Sequence, residues 1–118
     1  MAAEFKNDRG LIRISNNVIA KIAGYAATKC YGVVGMATRS SKDGLAGLLK
    51  MELMDRGVKV KVSEGRVDIA LFVIIEYGVN IGTVGEIIKN SVKYQVEEMT
   101  GLEVGSVTVN VESVRVYR

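Results

Sequence analysis

Residues that could carry out nucleophilic or acid–base chemistry are scarce in this sequence. Its 118 residues include no histidine, and Cys30 is the single cysteine. A serine–histidine or cysteine–histidine nucleophile therefore cannot be assembled within the chain, and no ligand set for structural zinc is present. An enzyme would have to use carboxylates such as Asp68 and Glu76, and no motif brings such a pair together. We expect no catalytic residue, metal site, cofactor or small-molecule substrate, and predict that the protein is not an enzyme.

One group of glycines could bring an anion close to the backbone. Gly78, Gly82 and Gly85 lie where a helix is predicted to begin, and free N–H groups at a helix start attract phosphates. Their spacing matches neither glycine-rich phosphate-binding fingerprint, so tight turns and close helix packing are the competing explanation.

Basic residues are concentrated in the first half of the chain. Residues 1–59 carry ten Lys and Arg against five Asp and Glu, whereas residues 60–118 carry six against eight. A surface that binds a protein partner or an anion is predicted at Arg39, Lys42, Lys59 and Lys61, with nucleic acid as the alternative partner. No aromatic residues alternate with these side chains as stacking platforms, so solvated surface charge is the competing interpretation.

The pattern of apolar residues predicts the elements that position these side chains. Residues 1–9 read as a flexible polar leader, and residues 10–118 as one domain. After a short strand, Ser15 is expected to cap a helix that ends near Gly32, and a second short strand follows. Residues 57–76 alternate as a β-hairpin whose return strand is apolar on both faces.

The rest of the chain reads as a second helix followed by a last strand. Asn80 is expected to cap this helix at its start, and Gly101 to end it. The last strand covers residues 106–117, and its apolar alternation changes parity at Ser113, which indicates a bulge.

These elements predict an α+β fold, a largely antiparallel sheet with two main helices on one face. The alternative is a ferredoxin-like split βαβ arrangement. In both arrangements the helices cover one face of the sheet. The other face, with Phe72 and Ile74, is left without a cover from the same chain. We expect self-association through this face and through Val114 and Val116 of the last strand. No internal apolar run approaches the roughly 20 residues of a membrane span.

Residues 38–56 are the part of the chain whose structure the pattern determines least. Their apolar side chains, Leu48 and Leu49 among them, are spaced as in a short amphipathic helix. Such a segment either docks a partner or a membrane, or closes one end of the core.

Several segments together resemble a known family. Ile14-Ser15-Asn16-Asn17-Val18, with Gly32-Val33 further on, resembles the opening motif of the alkaline shock proteins. These are also called Gls-type general or envelope stress response proteins and come from Gram-positive bacteria. Gly57-Val58-Lys59-Val60 is similar to the middle strand of that family, and Met99-Thr100-Gly101-Leu102 to its closing motif. The resemblance covers about residues 10–116 and is weakest at 36–56.

The resemblance implies a non-catalytic scaffold that self-associates and acts in cell-envelope stress homeostasis at the cytoplasmic side. It also implies a separate protein that anchors the scaffold to the inner face of the membrane. No catalytic residues are established for the family, so none are carried over. A cytoplasmic location agrees with the lone cysteine and with a polar start that lacks the apolar core of a secretory signal.

Overall fold

The computed structural model of the chain describes residues 2–37 and 57–116. Two helices and six strands occupy these ranges. In chain order they are β1 (Ala2–Asn7), β2 (Gly10–Ser15), α1 (Asn16–Thr28), β3 (Val33–Met36), β4 (Val58–Ser63), β5 (Arg66–Glu76), α2 (Ile81–Thr100) and β6 (Glu103–Arg115). None of the helices in the described ranges combines the length and hydrophobicity that crossing a membrane requires.

The start of each helix is set by the side chain that sequence analysis assigned to it. The Val18 N–H donates to Ser15 Oγ at 3.3 Å, and the Thr83 N–H donates to Asn80 Oδ1 at 2.9 Å. Each bond satisfies an N–H group that has no partner within the helix. These two caps are therefore confirmed.

The helix ends agree with expectation in one case and differ in the other. α2 ends at Gly101, whose left-handed φ of 77° confirms the predicted cap. α1 ends at Lys29 rather than near Gly32. Gly32 is also left-handed, with φ of 87°, but it lies in the following turn, where an added Cβ would be 3.0 Å from Val84. The glycine is thus required by the turn and not by a helix cap.

Strand β5 is the centre of the main sheet. On one side it pairs antiparallel with β4 along its first half and with β3 along its second half. On the other side it pairs with β6, in parallel, over its whole length. The predicted α+β class is confirmed, with this one parallel pair. Because β5 and β6 are adjacent, β5–α2–β6 is an ordinary βαβ unit and not the split arrangement of the alternative.

The core lies between one face of this sheet and the two helices. The odd-numbered residues of β5 from Val67 to Ile75 are fully buried, as the alternation predicted. They form one cluster with the inward side chains of the helices, which include Ile19 and Ala23 of α1 and Ile88 and Val92 of α2. Both helices therefore cover the same face, and the described residues form two layers.

The first residues of the chain form a strand and not the predicted leader. β1 pairs antiparallel with β2 from Ala2–Ser15 to Asn7–Gly10, as a separate two-stranded sheet. The turn between them is held by Asn7, whose Oδ1 accepts the Arg9 N–H at 2.8 Å. Charged residues mask the alternation in β1, which is stabilised by its pairing with β2 and by the burial of Ala3.

Candidate functional site

The side chains predicted to mediate self-association do not form one surface. Phe72 and Ile74 do lie on the face of β5 opposite the helices, but Phe72 is only 6% exposed. The expectation that its ring lies on an uncovered face is therefore wrong, because the single chain already covers it. Ile74 is half-buried.

Val114 and Val116 are exposed, and Val114 lies on the helix side of the sheet rather than on the face of Phe72. The register between β5 and β6 shifts after Val111, so Ser113 pairs with Ile74 and Val114 pairs with Ile75. This shift confirms the bulge. One extra residue in β6 returns the later valines to the same face as the earlier ones.

The predicted basic surface is described only in part. Lys59 and Lys61 are exposed on the open face of β4, as expected. Lys61 pairs across the strands with Asp68, whose carboxylate also accepts the Ser106 hydroxyl at 3.0 Å. A carboxylate therefore interrupts the positive charge here. The other predicted contacts, Arg39, Lys42, Leu48 and Leu49, lie outside the described residues.

The described ranges contain no arrangement typical of a catalytic or metal site. No three acidic, cysteine or histidine side chains within them cluster closely enough to hold a metal ion. Asp68 and Glu76 lie on the same strand about 26 Å apart, given eight residues of β structure. Cys30 is buried, and its Sγ–H donates to the Ala26 carbonyl at 3.4 Å. Of the N–H groups at the start of α2, that of Thr83 already donates to Asn80 Oδ1.

The hydrogen bonds of β5 determine which backbone groups of β6 remain unpaired. The backbone N–H and C=O of Phe72 both point away from β6. The N–H donates to the Gly57 carbonyl and the C=O accepts the Ala37 N–H, each at 2.7 Å. Successive residues of a strand point their backbone groups to opposite sides. Leu71 and Val73 therefore turn theirs towards β6.

This pattern leaves the outer edge of β6 open. In a parallel pair, a residue bonds to the two neighbours of its partner. Leu71 and Val73 are partnered by Val109 and Val111, so the even-numbered residues of β6 make these bonds. The N–H and C=O groups of Val107, Val109 and Val111 point outwards, without a partner in the described part of the chain.

Side chains cover two other outward backbone groups of the sheet. At the start of β6 the outward N–H of Val104 donates to the Glu97 carboxylate at 3.0 Å. On the opposite edge of the sheet, the Val60 carbonyl accepts the Asn16 side-chain amide at 3.5 Å. The described residues give the middle of β6 no such cover, and unpaired edge strands are sites for pairing with another chain.

A groove accompanies the open edge. It lies between β6 and the first turns of α2, and its volume is about 350 Å³. Gly82 and Gly85 form part of the α2 side, and a Cβ added to Gly85 would meet no atom within 4 Å. The half-buried valines of β6 form the floor. A groove of this shape can accept an added β-strand. The backbone of that strand would hydrogen-bond to the edge of β6, and its alternate side chains would fit under α2.

The β1–β2 hairpin presents a second exposed apolar surface. Every side chain from Glu4 to Arg13 is exposed, whereas Ala3 at the base is buried in the core. Phe5 pairs with Ile12, so the two side chains lie together on one face, and they are 37% and 61% exposed. Glu4 and Arg13 form an ion pair of 3.0 Å on the other face.

A third surface is the groove between α1 and α2 on the side away from the sheet, with a volume of about 690 Å³. Tyr25, Tyr31, Ile87 and Met99 are exposed along it. Lys29 Nζ lies 5.0 Å above the centre of the Tyr25 ring, within the range of a cation–π contact.

Sequence analysis missed two of these surfaces. The groove between α1 and α2 was missed because Ile87 and Met99 continue the apolar spacing of α2, and this apolar stripe is wider than the contact of the helix with the sheet. The hairpin was missed because residues 1–9 were read for their charge. The signal was present in the alternation of Ala3 and Phe5 with the polar residues between them.

Comparison with known proteins confirms the resemblance drawn from the motifs. The model of the alkaline shock/Gls24-like family, described as having a cell envelope-related function, matches residues 4–116. None of the solved protein structures matches the chain at a significant level.

Individual relatives cover nearly all of the chain. The protein YloU of Bacillus subtilis, described as uncharacterized, is 43% identical over 117 residues, and the match covers 98% of both chains. Spy1614 of Streptococcus pyogenes serotype M6 is 36% identical over 117 residues, covering 98% of this chain and 97% of that one. A stress response regulator gls24 homolog of Streptococcus pyogenes serotype M1 is 30% identical over 107 residues, which are 91% of this chain and 60% of that protein.

Proposed function

This chain belongs to the alkaline shock/Gls24-like family, and from that premise we propose that it is a non-catalytic, self-associating scaffold acting in cell-envelope stress homeostasis. The scaffold works at the cytoplasmic side of the envelope, where a separate membrane protein anchors it. The family description and the stress-response name of a relative support the envelope part of this proposal.

The open middle of β6 is the observation that carries self-association. An edge strand of 13 residues exposes N–H and C=O groups that a second chain can satisfy. Natural edge strands are commonly protected by lysine, proline or a covering loop. In β6 there is no lysine or proline, and only Val104 has its outward N–H covered by a described side chain.

Sedimentation velocity over a wide range of protein concentration tests the proposal. We expect the average mass of the full chain to rise with concentration. Thr108→Lys places a charge on the exposed side of β6 beside the open edge, where charge opposes strand pairing. This variant is expected to weaken association at least about tenfold, a change of about 1.4 kcal/mol.

Thr83→Lys is the matched control. Thr83 is also exposed, lies on α2 outside the groove, and undergoes the same change in size and charge. It is expected to associate as the unmodified protein does. A chain that stays monomeric at every concentration would contradict the proposal, as would equal weakening by the two substitutions.

A further inference from the structure

We propose that the β1–β2 hairpin is an arm that docks on the β6 edge of a second copy, so that the copies join head to tail. This inference rests on the proposed self-association and specifies which surfaces meet. The arm is defined as residues 2–15 and the receiving edge as the groove between β6 and α2.

The arm carries a surface that a single copy leaves bare. A hairpin of two strands is only marginally stable in water without a third strand or a covering layer. The base of the arm is anchored by Ala3, and the edge of the Phe5 ring lies near Gly101 at the end of α2, but Phe5 stays 37% exposed and Ile12 61% exposed on the apolar face of the arm. Apolar side chains grouped on an exposed extension mark a protein contact.

The receiving edge has the complementary features. Its floor is the valine row of β6, its wall is the glycine-containing first part of α2, and its backbone groups need an extended partner. Because α2 already covers one side of the groove, a strand that carries its own helix layer cannot enter it. The partner must therefore be a strand without such a layer. In the described part of the chain, the separate sheet that the arm forms is the element that meets this condition.

Charge agrees with this pairing. The arm has a net charge of +1, from Lys6, Arg9 and Arg13 against Glu4 and Asp8. Strand β6 has a net charge of −1, from Glu103 and Glu112 against Arg115. Opposite signs favour arm-to-edge contact over the pairing of two β6 edges, in which like net charges would meet.

Two adjacent substitutions on the arm test which of its faces is covered. Ile12→Ser removes an apolar side chain from the face shared with Phe5, and it is expected to weaken association at least about tenfold. Leu11→Ser makes the same kind of change on the opposite face, where Leu11 is 46% exposed, and is expected to leave association unchanged. Equal effects of the two variants would overturn the assignment. Circular dichroism checks that both remain folded.

Mixing two defective variants tests the head-to-tail geometry. Ile12→Ser keeps a working edge and Thr108→Lys keeps a working arm, so an equimolar mixture retains one functional contact for each pair of chains. Head-to-tail contacts leave an arm and an edge free at the two ends, whereas symmetric contacts are used up in a dimer. We therefore expect a complex of one copy of each variant, at concentrations where either variant alone stays monomeric.

The outcomes separate the two proposals. If the unmodified protein associates but the mixture yields no two-chain complex, the arm-to-edge inference is wrong and the scaffold proposal stands. If the unmodified protein is monomeric throughout, the scaffold proposal itself is wrong.

Discussion

Gly57 is the residue on which the junction between β3 and β4 depends. Its φ of +76° is a conformation that other residues rarely adopt. An added Cβ would lie 2.9 Å from the Phe72 carbonyl oxygen and closer still to that of Ala37. They lie at the backbone bonds of Phe72 to Gly57 and Ala37, where β4 ends and β3 begins along β5, so they cannot move aside without disturbing this pairing.

We therefore predict that Gly57→Ala destabilises the fold by about 3 kcal/mol or more, from left-handed strain together with backbone overlap. Gly65→Ala is the matched control, since Gly65 has nearly the same φ of +79° but open space around it. It is expected to cost about 1 kcal/mol. Urea unfolding at low protein concentration measures both values. Equal losses would show that overlap at Gly57 does not matter.

At the scale of residues, the helix caps could be predicted from the sequence, whereas the burial of a side chain could not. Ser15, Asn80 and Gly101 were assigned as caps correctly, because a cap depends on neighbours within three or four residues. The burial of Phe72 depends on chain segments that are distant in sequence. No local pattern could distinguish a ring covered by its own chain from one left for a partner.

At the scale of elements, α2 shows how far periodicity determines packing. Ile87 and Ile88 are adjacent and chemically identical, yet Ile88 is fully buried and Ile87 is exposed in the groove beside α1. Helical geometry turns neighbouring side chains by about 100°, which is enough to move one from the core to the surface.

Alanine substitutions at these two positions form a matched pair. Ile88→Ala is expected to reduce the free energy of unfolding by about 3 kcal/mol, because it leaves a cavity under α2. Ile87→Ala should cost no more than about 0.5 kcal/mol, as is usual for surface changes. Chemical denaturation of dilute protein provides the measurement. Comparable losses would mean that the outer stripe of α2 also belongs to the monomer core.

The strands were predictable where alternation was clean and failed where it was interrupted. The β4–β5 hairpin was predicted from its alternation and turn, and the structure confirms it. In β6 the change of parity at Ser113 indicated one bulge, whereas the register shift between Val104 and Ser106 was not predicted. In β1 the polar residues outnumber the apolar ones after Ala3, so its strand character appears only when Phe5 is paired with Ile12.

At the scale of the whole molecule, the two layers formed by the described residues leave an exposed edge and an exposed hairpin. The helices protect one face of the sheet, and the open edge of β6 and the arm remain exposed in the described ranges. The α+β class followed from the order of elements. The parallel position of β6 beside β5 did not, because strand pairing over long distances depends on which edges are free after the rest of the chain has folded.

The account therefore depends on the outer edge of β6 being paired in the assembled protein. Amide hydrogen exchange, carried out on dilute and on concentrated protein and then read residue by residue, tests this directly. The N–H groups of Val109 and Val111 point outwards, and that of Asn110 points to β5, so the last serves as an internal reference. We predict that Val109 and Val111 exchange fast in dilute protein and become protected in concentrated protein, while Asn110 is protected in both. Fast exchange at Val109 and Val111 under both conditions would contradict the account.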